Sequence, residues 1–226
     1  LPLRNDYAYT ILGWIEGDLL LFRDRGHEFF IQAFDEEMHL KWEREIFLGP
    51  RKADIIGIVS HTDRFHILFG MRDKGDYVLQ HRSFDHSVNL LDTMTLEIVK
   101  NIFITPRFLM SESEDETKVA LFREINNGLY LTSYDLINRK VLWSNDVFFG
   151  TGNMQRDYST FEVTNEGEFF LTMEPDKFFQ KVQHLEVFSS GPGSEKVIHE
   201  FIEFGDRQAY DYYTLYDNVN RHLVIT

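Results

Sequence analysis

The chain has 226 residues, a formal net charge of −14, 43% hydrophobic residues and no cysteine. Such a charge repels nucleic acids and anionic lipid, so no nucleic-acid partner is expected. The missing thiols exclude disulfide frameworks, thiol catalysis and thiolate metal sites.

Apolar runs fall short of the roughly 18 to 20 residues that a membrane helix needs, so direct membrane insertion is not expected. The segment from Leu1 does not read as a signal peptide. With 21 Phe, 10 Tyr and 3 Trp the composition favours strands. In chain order, Tyr7 to Ile15, the turn Glu16-Gly17-Asp18 and Leu19 to Phe22 form a first strand pair. Phe29 to Ile46 forms a second pair through a polar turn after Phe34-Asp35. The same order of pairs restarts at Ile55 to Val59, at Phe108 to Met110 and at Thr160 to Val163.

The second pairs carry Phe34-Asp35, Phe84-Asp85 and Tyr134-Asp135, spaced 50 residues apart. Leu129 to Val147 shows the figure most clearly. Alternating residues lead into a turn at Asp135 to Lys140, where Asn138 is expected to take positive φ, and Trp143 anchors the return strand. A fourth copy, His184 to Phe204, turns at Gly191-Pro192-Gly193 instead. A fifth begins at Tyr212 to Tyr216 and reaches only His222 to Thr226.

Four-stranded units at this period predict an all-β fold, a β-propeller of antiparallel four-stranded blades. The expected blades are 7–54, 55–107, 108–157 and 158–210, with a partial fifth at 211–226. A β-sandwich would not explain why the pattern restarts so regularly. The half blade implies a longer propeller, or blades supplied from elsewhere.

Tyr134 to Trp143, YDLINRKVLW, resembles the pyrroloquinoline-quinone-like propeller repeat, and Phe34 to Trp42 is a looser match. The rhythm also resembles uncharacterised bacterial propeller proteins of the cell envelope. The resemblance implies a scaffold and a periplasmic or extracellular location. The turn glycine of that family is replaced by Asn138-Arg139, and its quinone and metal ligands have no counterparts here. No cofactor is expected.

Propeller function usually sits on the face carrying the links between blades. Asp6, Asp54, Arg107, Asp157 and Asp211 open successive first strands and are expected to gather at one mouth of the central channel. Arg23, Arg72 and Arg123 recur at the ends of the second strands. Antiparallel pairing would bring Arg23 to Asp6, Arg72 to Asp54 and Arg107 to Glu124. These residues read either as ion pairs fixing strand register or as a ligand-contacting rim.

Phe149, Phe178 and Phe179 fall in polar loops and read as exposed binding aromatics, or as rings folded back over a blade edge. His61, His66, His81 and His86 are close in sequence, but turn and strand positions account for them and no metal site is expected. Glu112, Glu114, Asp115 and Glu116 read as a solvated hairpin tip. The function expected is a noncatalytic platform for a protein or glycan. The alternatives are a hydrolase or lyase using carboxylates such as Asp54 and Asp157, and a structural subunit of a larger assembly.

Overall fold

The structure is a computed structural model that describes residues 8–25, 28–49, 52–100, 103–126, 128–148, 158–173, 184–205 and 212–226. The chain divides into two compact units, 1–105 and 106–226. Every regular element is a strand, and each sheet is an antiparallel meander.

The first unit holds two four-stranded sheets. One is built from β1 (Ala8–Ile15), β2 (Asp18–Asp24), β3 (Phe29–Phe34) and β4 (Leu40–Ile46). The other is built from β5 (Ala53–His61), β6 (Arg64–Asp73), β7 (Asp76–Asp85) and β8 (Leu90–Val99). The second unit holds two more. They are β9 (Phe108–Glu112), β10 (Lys118–Ile125), β11 (Gly128–Asp135) and β12 (Lys140–Phe148), then β13 (Tyr158–Val163), β14 (Phe169–Met173), β15 (His184–Ser190) and β16 (Ile198–Glu203). A two-stranded sheet, β17 (Thr214–Asp217) and β18 (His222–Ile225), follows. Within the first unit β1 lies beside β5, and within the second β13 lies beside both β9 and β17. These sheets are propeller blades, four complete and a fifth in part.

Local chemistry sets the turns. Glu16-Gly17 and Lys74-Gly75 both take positive φ, which matches a two-residue hairpin to the right-handed twist of its strands. The aromatic-Asp pairs work by another device. Asp35 and Asp85 each accept a backbone N–H from four residues on, at 2.8 Å. Asp135 accepts the N–H groups of Ile137 and Asn138 at 3.1 and 2.7 Å, and the Asn138 side chain at 2.9 Å. The positive φ falls on Arg139, not Asn138, because the Asn138 amide is held by the carboxylate. Ahead of each Asp the ladder slips by one residue, at Ala33/Phe34, Ser83/Phe84 and Ser133/Tyr134. The 50-residue signal is therefore a capped, bulged turn between third and fourth strands.

Strand alternation builds each core. In β2 and β3 every second residue is buried, and Leu20, Phe22, Phe29 and Ile31 meet Phe65, Ile67 and Phe69 of the next sheet. Polar ties join these two sheets. The Asp18 carboxylate, itself buried, takes Lys41 at 2.5 Å and His86 at 3.0 Å, and Ser60 donates to the Leu12 carbonyl. In the second unit Leu131, Trp143 and Val147 pack on Phe169, Leu171 and Met173.

Candidate functional site

Two surfaces gather functional character, one in each unit. The first is on the links between blades. β4 ends in Ile46 and is followed by Phe47, whose side chain is 70% exposed while Leu48 tucks under. After β8 the link presents Phe103 at 97% and Ile104 at 86% exposure. Neither link hangs free. Arg82 of β7 donates to the Phe47 carbonyl at 2.9 Å while its guanidinium lies over the Phe69 ring. Arg72 of β6 donates to the Phe103 carbonyl at 3.3 Å and to Thr105 Oγ1 at 2.9 Å. Two arginines of one blade thus hold the backbones from which the exposed aromatics project.

Arg72 was expected to meet Asp54, and it does not. Register pairs Asp54 with Gly70, two residues short of Arg72. The Tyr77 ring lies across Gly70, where a Cβ would come within 2.1 Å of its hydroxyl, and that hydroxyl reaches Asp54 at 3.5 Å. Burial, with Asp54 beside it, pushes the Tyr77 phenol up to about 12. Arg107 and Glu124 are both exposed, and among the described residues no ion pair joins them.

The recurring arginines share a different partner. Arg23 is paired across the strands with Phe30, and its guanidinium stands 4.5 Å from that ring. Arg123 stands 4.8 Å from Tyr130 in the same way, and Arg72 is opposite Tyr77 in register. Arg23 also pairs with Glu43 at 3.0 Å. An arginine opposite an aromatic residue of the third strand thus recurs in three sheets, with the guanidinium over the ring at Arg23 and Arg123. Asp6, Asp157, Asp211, Phe149, Phe178 and Phe179 lie outside the described residues.

The four histidines do not form one site. His61 pairs with Asp63 at 3.9 Å and His86 with Asp18, while His66 Nδ1 and His81 Nε2 stand 2.9 Å apart in the interior. Elsewhere, Asp35, Glu37 and His39 bring potential metal-ligating atoms within 4.8 Å of one another on an exposed turn.

The second surface is an acidic pocket of about 580 Å³ in the second unit, lined by Glu112, Glu114, Glu116, Glu162, Leu215, Tyr216 and Val219 among others. The first hairpins of three successive sheets build it. Ser113 bridges to Val163, Asp115 N–H donates to Asn165 Oδ1 at 3.1 Å, and Asn165 N–H donates to Asn218 Oδ1 at 2.9 Å. Asn218 Nδ2 then closes on Glu114 at 2.9 Å. Burial works against the Asp115 charge, but hydrogen bonds from Ser113 and Thr117 outweigh it and hold the carboxyl low. Desolvation, then Glu116, raises the Glu112 carboxyl, and desolvation raises Glu162 against a hydrogen bond from Thr214.

This tip was expected to be only a solvated turn. The pocket depends on turns about 50 residues apart, so no local signal marks it. A raised carboxyl pKa means the fold disfavours the charged form, so the stability contributed by its proton is present at acid pH and lost as pH rises. Glu112→Gln is therefore expected to raise the melting temperature at pH 7, with the gain vanishing at pH 4. A melting temperature unchanged or lower at pH 7 would show that Glu112 is not desolvated in the folded chain.

Comparison with protein families and with curated proteins gave no match. Among solved structures, an uncharacterised protein of Listeria monocytogenes aligns at 8% identity over 88% of this chain and 56% of its own, with a TM-score of 0.47. The Dos1 propeller aligns at 14% identity over 89% and 48%, with a TM-score of 0.41. The Nup133 β-propeller domain of Vanderwaltozyma polyspora aligns at 12% identity over 86% and 56%, with a TM-score of 0.42. The chain spans about half the length of these structures. Likeness at this level carries no functional assignment.

The aromatic links did leave a sequence signal. Ile46-Phe47-Leu48-Gly49, Ile102-Phe103-Ile104-Thr105 and Val147-Phe148-Phe149-Gly150 follow successive outer strands. Each sets a branched aliphatic residue before a phenylalanine, and Phe148 is also exposed, at 64%.

Proposed function

We propose that this chain is a noncatalytic platform that binds a protein partner through its link-borne aromatics. The observation that carries this reading is the pair of clamped links, which project Phe47, Phe103 and Ile104 into solvent from fixed backbones. Large exposed apolar side chains cost solubility and are typical of binding hot spots. Fixing their backbone beforehand lowers the ordering cost on binding. A bacterial cell-envelope setting belongs to the same proposal and rests on the resemblance in repeat rhythm. A glycan is the other ligand class that exposed aromatic faces suit.

Photo-crosslinking tests the reading. With p-benzoylphenylalanine at position 47 or 103 in cells, one discrete protein adduct is expected at both positions and none at the control positions Glu36 and Lys140. Absence of an adduct, or the same adducts at the controls, would refute it.

A second reading, hydrolase or lyase chemistry, is favoured by one observation. Glu112 and Glu162 line the same pocket and both have raised carboxyl pKa values, the state a general acid needs. Turnover of a nitrophenyl glycoside panel that disappears in Glu162→Gln would support it over the platform.

A further inference from the structure

In the second unit, the sheets β9–β12 and β13–β16 pack together where Trp143 of β12 meets Phe169 of β14. Towards the outer edge they leave an open groove of about 350 Å³. One wall is Asp146, Val147 and Phe148 at the end of β12, and the other includes Phe188, Glu195 and His199. The His199 ring lies flat on Phe188, with centroids 4.1 Å apart and planes 13° apart, and continues to Phe201 at 4.5 Å. Glu186 holds His199 Nε2 at 3.1 Å, which fixes the ring.

All six residues of β16 are exposed, including Phe201 at 58%, and β16 is the last strand of its sheet. Asp146 and Glu195 line the groove together with Lys196, and Glu203 shares the Phe201 face of β16.

We propose that this groove docks an extended basic segment of a protein partner. An arginine or lysine of the segment sits between Asp146 and Glu195, and a neighbouring apolar side chain rests on the His199 and Phe201 rings. The chemistry fits in three respects. The groove has room for a large side chain and part of its neighbour, the aromatic wall suits a guanidinium or an apolar group, and the acidic lining selects positive charge. The exposed edge of β16 offers backbone N–H and C=O groups to an added strand. The proposal extends the platform reading, because Phe148 on the groove wall occupies the repeat position of Phe47 and Phe103.

The test uses two fluorescein-labelled hexapeptides, Arg-Val-Lys-Phe-Arg-Val and Glu-Val-Glu-Phe-Glu-Val, titrated with the intact chain by fluorescence anisotropy at physiological salt. The basic peptide is expected to bind at least about tenfold more tightly than the acidic one. Phe201→Ser, and separately the double variant Asp146→Asn/Glu195→Gln, should each weaken it about fivefold or more. The matched charge loss Glu36→Gln/Glu45→Gln, in the first unit, should leave binding unchanged.

Equal loss in that control variant would mean diffuse attraction to an acidic protein and would overturn the proposal. So would unaltered binding in Phe201→Ser. Self-association in sedimentation that Phe201→Ser abolishes would also overturn it, by giving the groove to a second copy of the chain. The peptide titration involves neither Phe47 nor Phe103, so a failure here and a failure of the photo-crosslinking are read separately.

Discussion

Trp143→Ala is expected to destabilise the unit 106–226 by about 3 to 5 kcal/mol. The indole is 7% exposed and lies 5.1 Å from the Phe169 ring, between two sheets whose main chains meet at the isolated Ser113–Val163 bridge. Its Nε1–H donates to the Gly167 carbonyl at 2.7 Å, across from β12 to the turn that opens β14. Two effects therefore add, a cavity between sheets and a carbonyl left without its donor.

Trp143→Phe separates them. Most of the apolar contact stays, and the expected loss falls to roughly 1 to 3 kcal/mol, the cost of leaving the carbonyl unpaired. Urea unfolding followed by circular dichroism gives both values. Amide exchange over Phe169 to Met173 should accelerate more in the alanine variant than in the phenylalanine variant. A loss below about 1 kcal/mol in Trp143→Ala would show that the indole does not bolt these sheets together. Gly167 has its own requirement here. It holds φ at 85°, and a Cβ would stand 2.3 Å from Leu142 Cδ1. An alanine at that position is therefore strained in backbone and in space.

The second large effect is acid lability set by His66. Both His66 and His81 are buried, and their rings stack with centroids 5.1 Å apart. His66 Nε2 has no hydrogen-bond partner among the described residues. Burial first, then His81, Arg64 and His61, drive the His66 pKa down to about 3, with Asp63 opposing. A depressed histidine pKa means that the unfolded chain binds the proton more readily. The stability it protects is full above the unfolded value of about 6.5 and drains away as pH falls towards 3, at up to roughly 1.4 kcal/mol per pH unit.

Between pH 7 and pH 5 the expected loss is about 2 kcal/mol. The carboxylates held low, Asp63 at about 2 among them, titrate below that window and do not confuse it. In His66→Phe the slope between pH 7 and pH 5 should largely disappear, whatever that variant does to absolute stability. An unchanged slope would mean that another group carries the proton.

The scaffold was legible in the sequence because its signals are short-range. Alternation along β2 and β3, Gly at positive φ in two-residue turns, and an Asp capping N–H groups within four residues all act inside one hairpin. Arg23, Arg72 and Arg123 were visible as a recurrence, but their partners were not. A shift of two residues in register separates Asp54 from Arg72, and only the packing of Tyr77 over Gly70 shows why. Asn138 illustrates the same limit at close range. Its readiness for positive φ gave way to its better use as a double donor to Asp135.

The sequence by itself determined an all-β chain of repeated four-stranded blades, because strand period and turn chemistry are local properties of the backbone. It also determined that the surface is acidic. Only the tertiary structure decided which carboxylates share a pocket and which phenylalanines stay in solvent. Glu112, Glu162 and Asn218 meet because three first hairpins align side by side. Phe47 and Phe103 project from links whose carbonyls are held by Arg82 and Arg72 of the sheet β5–β8. Those placements arise from packing between sheets, which no window of sequence shorter than a blade contains.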